Sequence, residues 1–336
     1  MTTSINLALQ GGGAHGAFTW GALDRILSDD RLTIAGISGT SAGALNGAAI
    51  KCGLANGSKQ LAREKLEEVW TQIGAITDDR LSPWLTAFSP LAVSYGIEMS
   101  PSYQVSDAIS RSVSPYVTPP ISQQALRKIV CGLSLEDICS DRGPVFHICA
   151  TNVRSGKIKV FTRDEISPDA ILASTCLPTL FPAVEIGGEH YWDGGYTGNP
   201  ALYPLFDPDL PRDILVININ PLERPDIPVT ARDIQNRINE ISFNSSLLRE
   251  LRAIAFVKRL IRDGTIEQGR MKNVLVHLIA DDTLMQQLSV ATKVVANPIV
   301  MHQLRTAGHR AADAFLDRDF DRIGSESTID LHAMFA

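Results

Sequence analysis

The sequence lacks several features that would assign it to a class at once. Its first residues have no basic segment followed by a long apolar stretch, as a secretory signal would. No run approaches the roughly 18 consecutive apolar residues that cross a bilayer. The formal net charge of −6 excludes the basic excess typical of nucleic-acid-binding proteins. We therefore expect a soluble cytoplasmic protein with no nucleic-acid partner.

The cysteines argue against a disulfide framework and against a zinc site. They are odd in number and contain no closely spaced pair: Cys52, Cys131, Cys139, Cys149 and Cys176. Reduced and mostly buried thiols fit this spacing in a reducing compartment. We expect neither a metal ion nor another cofactor.

Apolar residues and glycine turns alternate at the start of the chain. Residues 5–9 are apolar at every second position, and residues 14–27 are apolar at helical spacing after three glycines. A second apolar run at 32–37 precedes a helical pattern that starts near Ala42. Strand, helix, strand and helix in this order predict an α/β fold, with a central, mostly parallel sheet sandwiched by helices.

The composition changes between residues 80 and 120. Charged residues become sparse, prolines become frequent, and large apolar residues from Trp84 to Tyr103 follow no clean period. A long irregular apolar segment inside a compact domain is usually functional. We predict a lid-like insertion here, with a peripheral core contact or an oligomer contact as the alternatives.

The first glycine cluster, Gly11–Gly16, has two interpretations. It fits the G-x-G-x-x-G pattern of a dinucleotide site, which also requires an acidic residue near the end of the next strand. The nearby acids Asp29 and Asp30 come before that strand, so the confirming residue is missing. In the second interpretation, backbone N–H groups at the turn hold a negatively charged oxygen.

A second motif, G-x-S-x-G at Gly39–Gly43, places Ser41 between a strand and a helix. A sharp strand-to-helix turn of this kind exposes a nucleophilic serine. A serine that only caps the helix is the alternative. A third cluster, Asp193-Gly194-Gly195, lies in a dense turn sequence and would by itself be an ordinary Asp-Gly turn. Histidine partners for the serine stay open, namely His277, His302, His309 and His332.

The three clusters together resemble the patatin-like phospholipase family in type, order and setting, over residues 5 to 205. The resemblance implies a patatin-like three-layer fold and hydrolysis of lipid carboxyl esters, as in a phospholipase A, lysophospholipase or carboxylesterase. It implies a catalytic dyad of Ser41 and Asp193 without histidine. It also implies an oxyanion hole and a set of supporting glycines: Gly11, Gly12 and Gly13 for the hole, and Gly16, Gly39, Gly43, Gly194 and Gly195 for support.

Alternatives to a hydrolase stay open on the residues alone. An acyl transferase similar to malonyl-transacylases would pair Ser41 with a histidine, an NAD(P)-binding oxidoreductase would use Gly11–Gly16, and a lipid-binding module would not need Ser41. Many patatin-like proteins carry Arg or Lys where this chain has His15.

We predict a catalytic domain over residues 1–210, with the insertion at about 80–120, and C-terminal strands and helices over 211–336 that complete or cap it. The helical pattern from Arg232 to Arg262 has more basic than acidic residues. It favours a helix packed on the sheet, and peripheral contact with the inner face of a membrane is the other interpretation. The sequence leaves the oligomeric state open.

Overall fold

The computed structural model describes residues 2–78, 80, 82–117, 121–267 and 269–335. One sheet runs through the described part of the chain, and its strands in sequence order are β1 Thr3–Leu9, β2 Leu32–Thr40, β3 Val145–Asn152, β4 Ile158–Thr162, β5 Val184–Ile186, β6 Glu189–Asp193, β7 Asp213–Ile217 and β8 Leu275–Ile279. Their spatial order is β5-β6-β3-β2-β1-β7-β8, with β4 also paired to β3.

The helices that surround the sheet are α1 Gly16–Leu27, α2 Ala42–Ala55, α3 Lys59–Ile73, α4 Ser82–Thr86, α5 Pro90–Met99, α6 Pro101–Ser112, α7 Ile121–Cys131, α8 Leu135–Cys139, α9 Pro168–Ser174, α10 Ala231–Arg262, α11 Asp282–Met285, α12 Val290–Val294, α13 Pro298–Asp319 and α14 Leu331–Met334. The predicted α/β fold with a mostly parallel central sheet is confirmed. Strands β3, β2, β1, β7 and β8 are parallel neighbours. Strands β4 and β6 each pair antiparallel with β3, and β5 pairs antiparallel with β6.

Both faces of the sheet pack against helices. Successive residues of a strand point to opposite sides, so each strand contributes to the core on both faces. Leu7 and Leu9 of β1 pack on one side in the core that includes α1, α2, α3 and α13. Ala8, between them, packs on the other side in a core with Leu247 and Leu251 of α10. The middle of α10 therefore packs on the sheet, as the sequence favours.

The register of the parallel strands brings two turns together. Leu9 at the end of β1 pairs with Gly39 near the end of β2. The carboxyl ends of parallel strands meet at one edge of a sheet. The glycine turn after β1 and the turn around Ser41 after β2 therefore lie side by side.

The segment predicted to be an irregular insertion at about 80–120 is instead largely helical. It forms α4, α5 and α6, and residues 81 and 118–120 lie outside the described residues. The helices were missed because apolar residues cover more than one face, so the sequence has no single 3.6-residue stripe. Pro90 and Pro101 each begin a helix, where a missing N–H costs nothing.

Candidate active site

Ser41 lies at a tight turn between β2 and α2. Its backbone has φ 55° and ψ −123°, a conformation that side-chain-bearing residues rarely adopt. Two hydrogen bonds hold the turn in place. The Ser41 N–H donates to Ser174 Oγ at 2.9 Å, and Ser174 Oγ donates to the Cys149 carbonyl at 2.6 Å. The side chain of Ser41 is therefore presented from a strained but fixed backbone.

The glycines on either side of Ser41 allow α2 to approach the sheet closely. A Cβ atom built on Gly43 would lie 2.1 Å from the carbonyl oxygen of Leu9, and one on Gly39 would lie 2.6 Å from the carbonyl oxygen of Gly43. Both contacts are with backbone atoms, which cannot rotate away. Only glycine fits at these two positions without a shift of the turn.

We expect Gly43→Ala to destabilise the protein by about 1–3 kcal/mol, because the added methyl group overpacks the contact with β1. Thermal unfolding followed by circular dichroism measures this loss. Gly96→Ala is the matched control, since Gly96 is helical and a Cβ atom there would meet nothing within 4 Å. An equal loss of stability in both variants would contradict the packing argument.

The glycine turn after β1 provides two unused backbone donors. The N–H groups of Gly12 and Gly13 donate to no acceptor among the described residues, and both glycines line a cavity together with Ser41. Gly13 has φ +59°, which glycine adopts without strain. The prediction that Gly11 adds a third donor does not agree with the structure, because its N–H donates to Asn199 Oδ1 at 2.6 Å.

Asp193 ends β6 and is fully buried. Its Oδ1 accepts a hydrogen bond from the Gly195 N–H at 2.7 Å, whereas Oδ2 has no partner of normal hydrogen-bond length among the described residues. Burial raises the pKa of the carboxyl group to about 7, and the Gly195 N–H and then the facing Ser41 hydroxyl oppose that rise. Asp193 therefore combines an open oxygen, proximity to Ser41 and a pKa near neutrality.

The glycines after Asp193 also fill places where a side chain would collide. A Cβ atom on Gly194 would lie 2.2 Å from the Cys149 carbonyl oxygen, and one on Gly195 would lie 2.4 Å from the ring of Phe243. This packing sets the carboxylate beside the end of β3 and opposite the turn at Ser41.

No histidine is among the described residues that line the Ser41 cavity. His277 pairs with Asp213 at 2.9 Å, and Asp213 begins β7, at the sheet edge opposite Ser41. His15 is buried, and its Nε2 lies 2.7 Å from Thr292 Oγ1. Burial lowers the pKa of His15 well below its usual value, so this ring is neutral at physiological pH.

The cavity beside Ser41 measures about 950 Å³ and is mostly apolar. Helices α5, α6, α10 and α12 contribute its walls, including Ile97 and Phe243, and Leu180 lines it from the segment between α9 and β5. A cavity of similar size, about 1040 Å³, lies between α10 and the C-terminal residues and is lined by neither Ser41 nor Asp193. Ser41, Gly12 and Gly13 line the smaller of the two cavities.

Several residues of this site were missed from the sequence. Ser174 supports the turn at Ser41, and Lys293 lines the cavity. Neither lies in a motif, and both come from elements far away along the chain. Asn199 lies outside the three sequence clusters, although its Oδ1 accepts the hydrogen bond that fixes the glycine turn. No helix of the described residues is long and apolar enough to cross a membrane.

Comparison with known proteins agrees with the motifs. The family model for patatin-like phospholipase matches residues 7–206, which is more than half of the chain. Among solved structures, the chain is similar to VipD from Legionella pneumophila, at 14% identity and a TM-score of 0.37, with 93% of this chain and 66% of that chain covered. No curated protein sequence matches. The chain belongs to the patatin-like phospholipase family.

Proposed function

We propose that this protein is a serine hydrolase that cleaves lipid carboxyl esters with a Ser41–Asp193 dyad. The observation that carries the proposal is the buried Asp193 carboxyl group, which faces the Ser41 hydroxyl and keeps one oxygen without a normal hydrogen-bond partner. A histidine base is disfavoured because the buried histidines His277 and His15 face Asp213 and Thr292 rather than Ser41.

In the proposed reaction, Ser41 Oγ attacks the ester carbonyl carbon and its proton passes to Asp193 Oδ2. The negative charge on the tetrahedral intermediate is stabilised by the N–H groups of Gly12 and Gly13. The intermediate collapses as the C–O bond to the alcohol breaks, and Asp193 returns the proton to the leaving oxygen. Water then attacks the acyl-enzyme, Asp193 takes and returns a proton again, and the carboxylic acid leaves.

An aspartate with its ordinary pKa would be a weak base at neutral pH. The raised pKa of about 7 at Asp193 makes proton transfer from a hydroxyl group easier, while a large fraction is still ionised at physiological pH. Burial thus supplies the basicity that histidine provides in other serine hydrolases.

The apolar cavity beside Ser41 is the proposed site of the acyl chain. The direct test measures fatty acid release from lysophosphatidylcholine, phosphatidylcholine and monoacylglycerol, with the products identified by mass spectrometry. We expect hydrolysis of at least one of these esters. Folded protein that hydrolyses none of them, and no short-chain 4-nitrophenyl ester, would contradict the proposal.

Exposed apolar side chains flank the cavity and form a proposed contact with a membrane. On α5, Leu91 and Tyr95 are 59% and 62% exposed, next to the cavity-lining residues of the same helix. On α10, Ile234 and Ile238 are exposed beside the cavity-lining Gln235. A lipid surface that covers both groups would align the cavity with its substrate.

We expect the double variant Leu91→Ser/Tyr95→Ser to bind phosphatidylcholine vesicles about tenfold or more weakly, because each lost side chain removes on the order of 1.5–3 kcal/mol of apolar burial. Co-sedimentation with vesicles measures the binding. Val145→Ser is the control, since this exposed residue begins β3 at the opposite edge of the sheet. Equal binding by the wild type and the double variant would exclude this contact surface.

We also propose that residues 211–336 complete the catalytic domain of residues 1–210 and do not fold as a separate domain. Strands β7 and β8 extend the same sheet, and α10 and α12 contribute walls of the Ser41 cavity. A cooperative single unfolding transition would support this assignment.

A further inference from the structure

Lys293, on α12, lies beside the glycine turn although it is far away in sequence. Its backbone packs against Gly13, where an added Cβ atom would lie 2.2 Å from the Lys293 carbonyl oxygen. Lys293 is partly buried and lines the same cavity as Gly12, Gly13 and Ser41. A cationic side chain is thus built into the wall of the cavity that holds the reactive serine.

The ammonium group of Lys293 has a fixed position and spare donors. Its Nζ donates to Asn220 Oδ1 at 2.5 Å, and Asn220 in turn donates from Nδ2 to the Gly11 carbonyl at 2.9 Å. An ammonium group has three N–H donors, so a single amide acceptor leaves two of them for a ligand.

The other charged groups near Lys293 form ion pairs among themselves. Arg224 and Arg237 both pair with Glu240, at 2.5 Å and 3.2 Å, and Asp107 and Arg111, on the cavity wall, pair at 2.9 Å. Lys293 forms no ion pair with a carboxylate of the described residues. Burial lowers the pKa of Lys293 to about 8, so it still carries its charge at neutral pH.

His15 holds this arrangement in place. The hydroxyl of Thr292 donates to the Ser289 carbonyl at 2.7 Å, so its contact with His15 Nε2 at 2.7 Å requires the ring nitrogen to donate. The hydrogen bond from the neutral His15 therefore links the glycine turn to Thr292, the residue before Lys293 on α12.

We propose that Lys293 is a specificity-determining residue that binds a negatively charged oxygen group of the ester substrate, either a lipid phosphate or a carboxylate on the acyl side. The proposal rests on the proposed ester hydrolysis at Ser41. It follows from an unpaired cation in the wall of the substrate cavity, since an anion there would use the two free donors and form a charge-assisted contact.

The test compares pairs of soluble substrates in which one member carries a phosphate or carboxylate group that the other lacks. One pair is a short-chain 1-acylglycerol 3-phosphate and the 1-acylglycerol with the same chain, and the other is mono-4-nitrophenyl adipate and 4-nitrophenyl hexanoate. The readout is the ratio of kcat/KM for the anionic member to that for the neutral member. We expect this ratio to fall about tenfold or more in Lys293→Met for at least one pair, as expected for one lost charge-assisted hydrogen bond.

Two further variants make the result specific. Lys293→Arg should keep the preference for the anionic substrate, and Lys157→Met, at an exposed turn, should leave the ratio as in the wild type. A fall with the phosphate pair alone identifies a headgroup as the ligand, and a fall with the adipate pair alone identifies an acyl-side carboxylate. Equal losses on both members of each pair, or no change in either ratio, would overturn the proposal.

The pH dependence gives a readout that does not depend on folding of the variant. In the wild type, the ratio should fall as the pH rises through about 8, because the ammonium group loses its proton. The raised pKa of Arg224 and the lowered pKa of His15 keep the charge states of both groups unchanged over this range, and Asp193 affects both substrates alike. A ratio that stays constant from pH 7 to 10 would overturn the proposal. Absence of all Ser41-dependent hydrolysis would instead refute the proposed function.

Discussion

Ser41→Ala should lower kcat/KM for ester hydrolysis by a factor of about 10⁴ to 10⁶, because the variant lacks the atom that attacks the carbonyl carbon. The remaining activity would come from substrate binding and from the Gly12 and Gly13 donors acting on water. The fold should be retained, because the Ser41 hydroxyl makes no capping hydrogen bond to α2. Steady-state rates with 4-nitrophenyl butyrate, together with circular dichroism of both proteins, measure the effect.

Ser155→Ala is the matched control for this substitution, because Ser155 is a serine in an exposed turn far from the cavity lining. Its rate should equal that of the wild type. If Ser41→Ala kept more than about a hundredth of the wild-type rate, another residue would have to be the nucleophile.

Asp193→Asn should lower kcat/KM by a factor of about 10³ to 10⁴, in the range found when a catalytic base is removed. The amide keeps an acceptor for the Gly195 N–H but cannot take the Ser41 proton. In the wild type, kcat/KM should rise with a slope of one on a logarithmic scale up to about pH 7 and then level off, because the base must be ionised. The variant should lack this rise. A pH profile of the variant with the wild-type shape would assign the base to another group.

The same substitution should stabilise the protein at pH 8. The pKa of Asp193 is about 7 in the folded protein and near 3.9 in the unfolded chain, so the folded state holds the extra proton between these values. The free energy of unfolding therefore falls as the pH rises from about 4 to 7. Asp193→Asn removes that cost, and thermal unfolding at pH 8 should show a gain of about 1–4 kcal/mol. A loss of stability would mean that the carboxylate is better solvated than its burial indicates.

Much of the fold and the site followed from short stretches of sequence. The predicted helix from Arg232 to Arg262 is confirmed as α10, Ala231–Arg262, because its apolar spacing is long and regular. The two glycine clusters predicted tight turns because only glycine fits where two backbone segments approach closely, as at Gly43, where an added Cβ atom would lie 2.1 Å from the Leu9 carbonyl oxygen. The need for glycine at a tight turn can therefore be predicted from the local sequence.

What could not be predicted depends on contacts between distant segments. The Gly11 N–H was expected to be free, yet Asn199, 188 positions later, accepts its hydrogen bond. Lys293 lies in no sequence motif, and only the packing of α12 on Gly13 brings it to the cavity. Helices α4–α6 were missed because their apolar residues serve the cavity, the core and an exposed surface at once. The spacing of apolar residues along the sequence cannot distinguish these three kinds of environment.

The account depends most directly on Ser41 being the activated nucleophile of the dyad. Intact-protein mass spectrometry and peptide mapping after reaction with a fluorophosphonate probe at pH 8 test this in one measurement. We predict a single phosphonyl adduct on Ser41 in the wild type, no adduct in Ser41→Ala, and labelling slowed at least a hundredfold in Asp193→Asn. An adduct on another residue, or labelling of Asp193→Asn at the wild-type rate, would contradict the dyad.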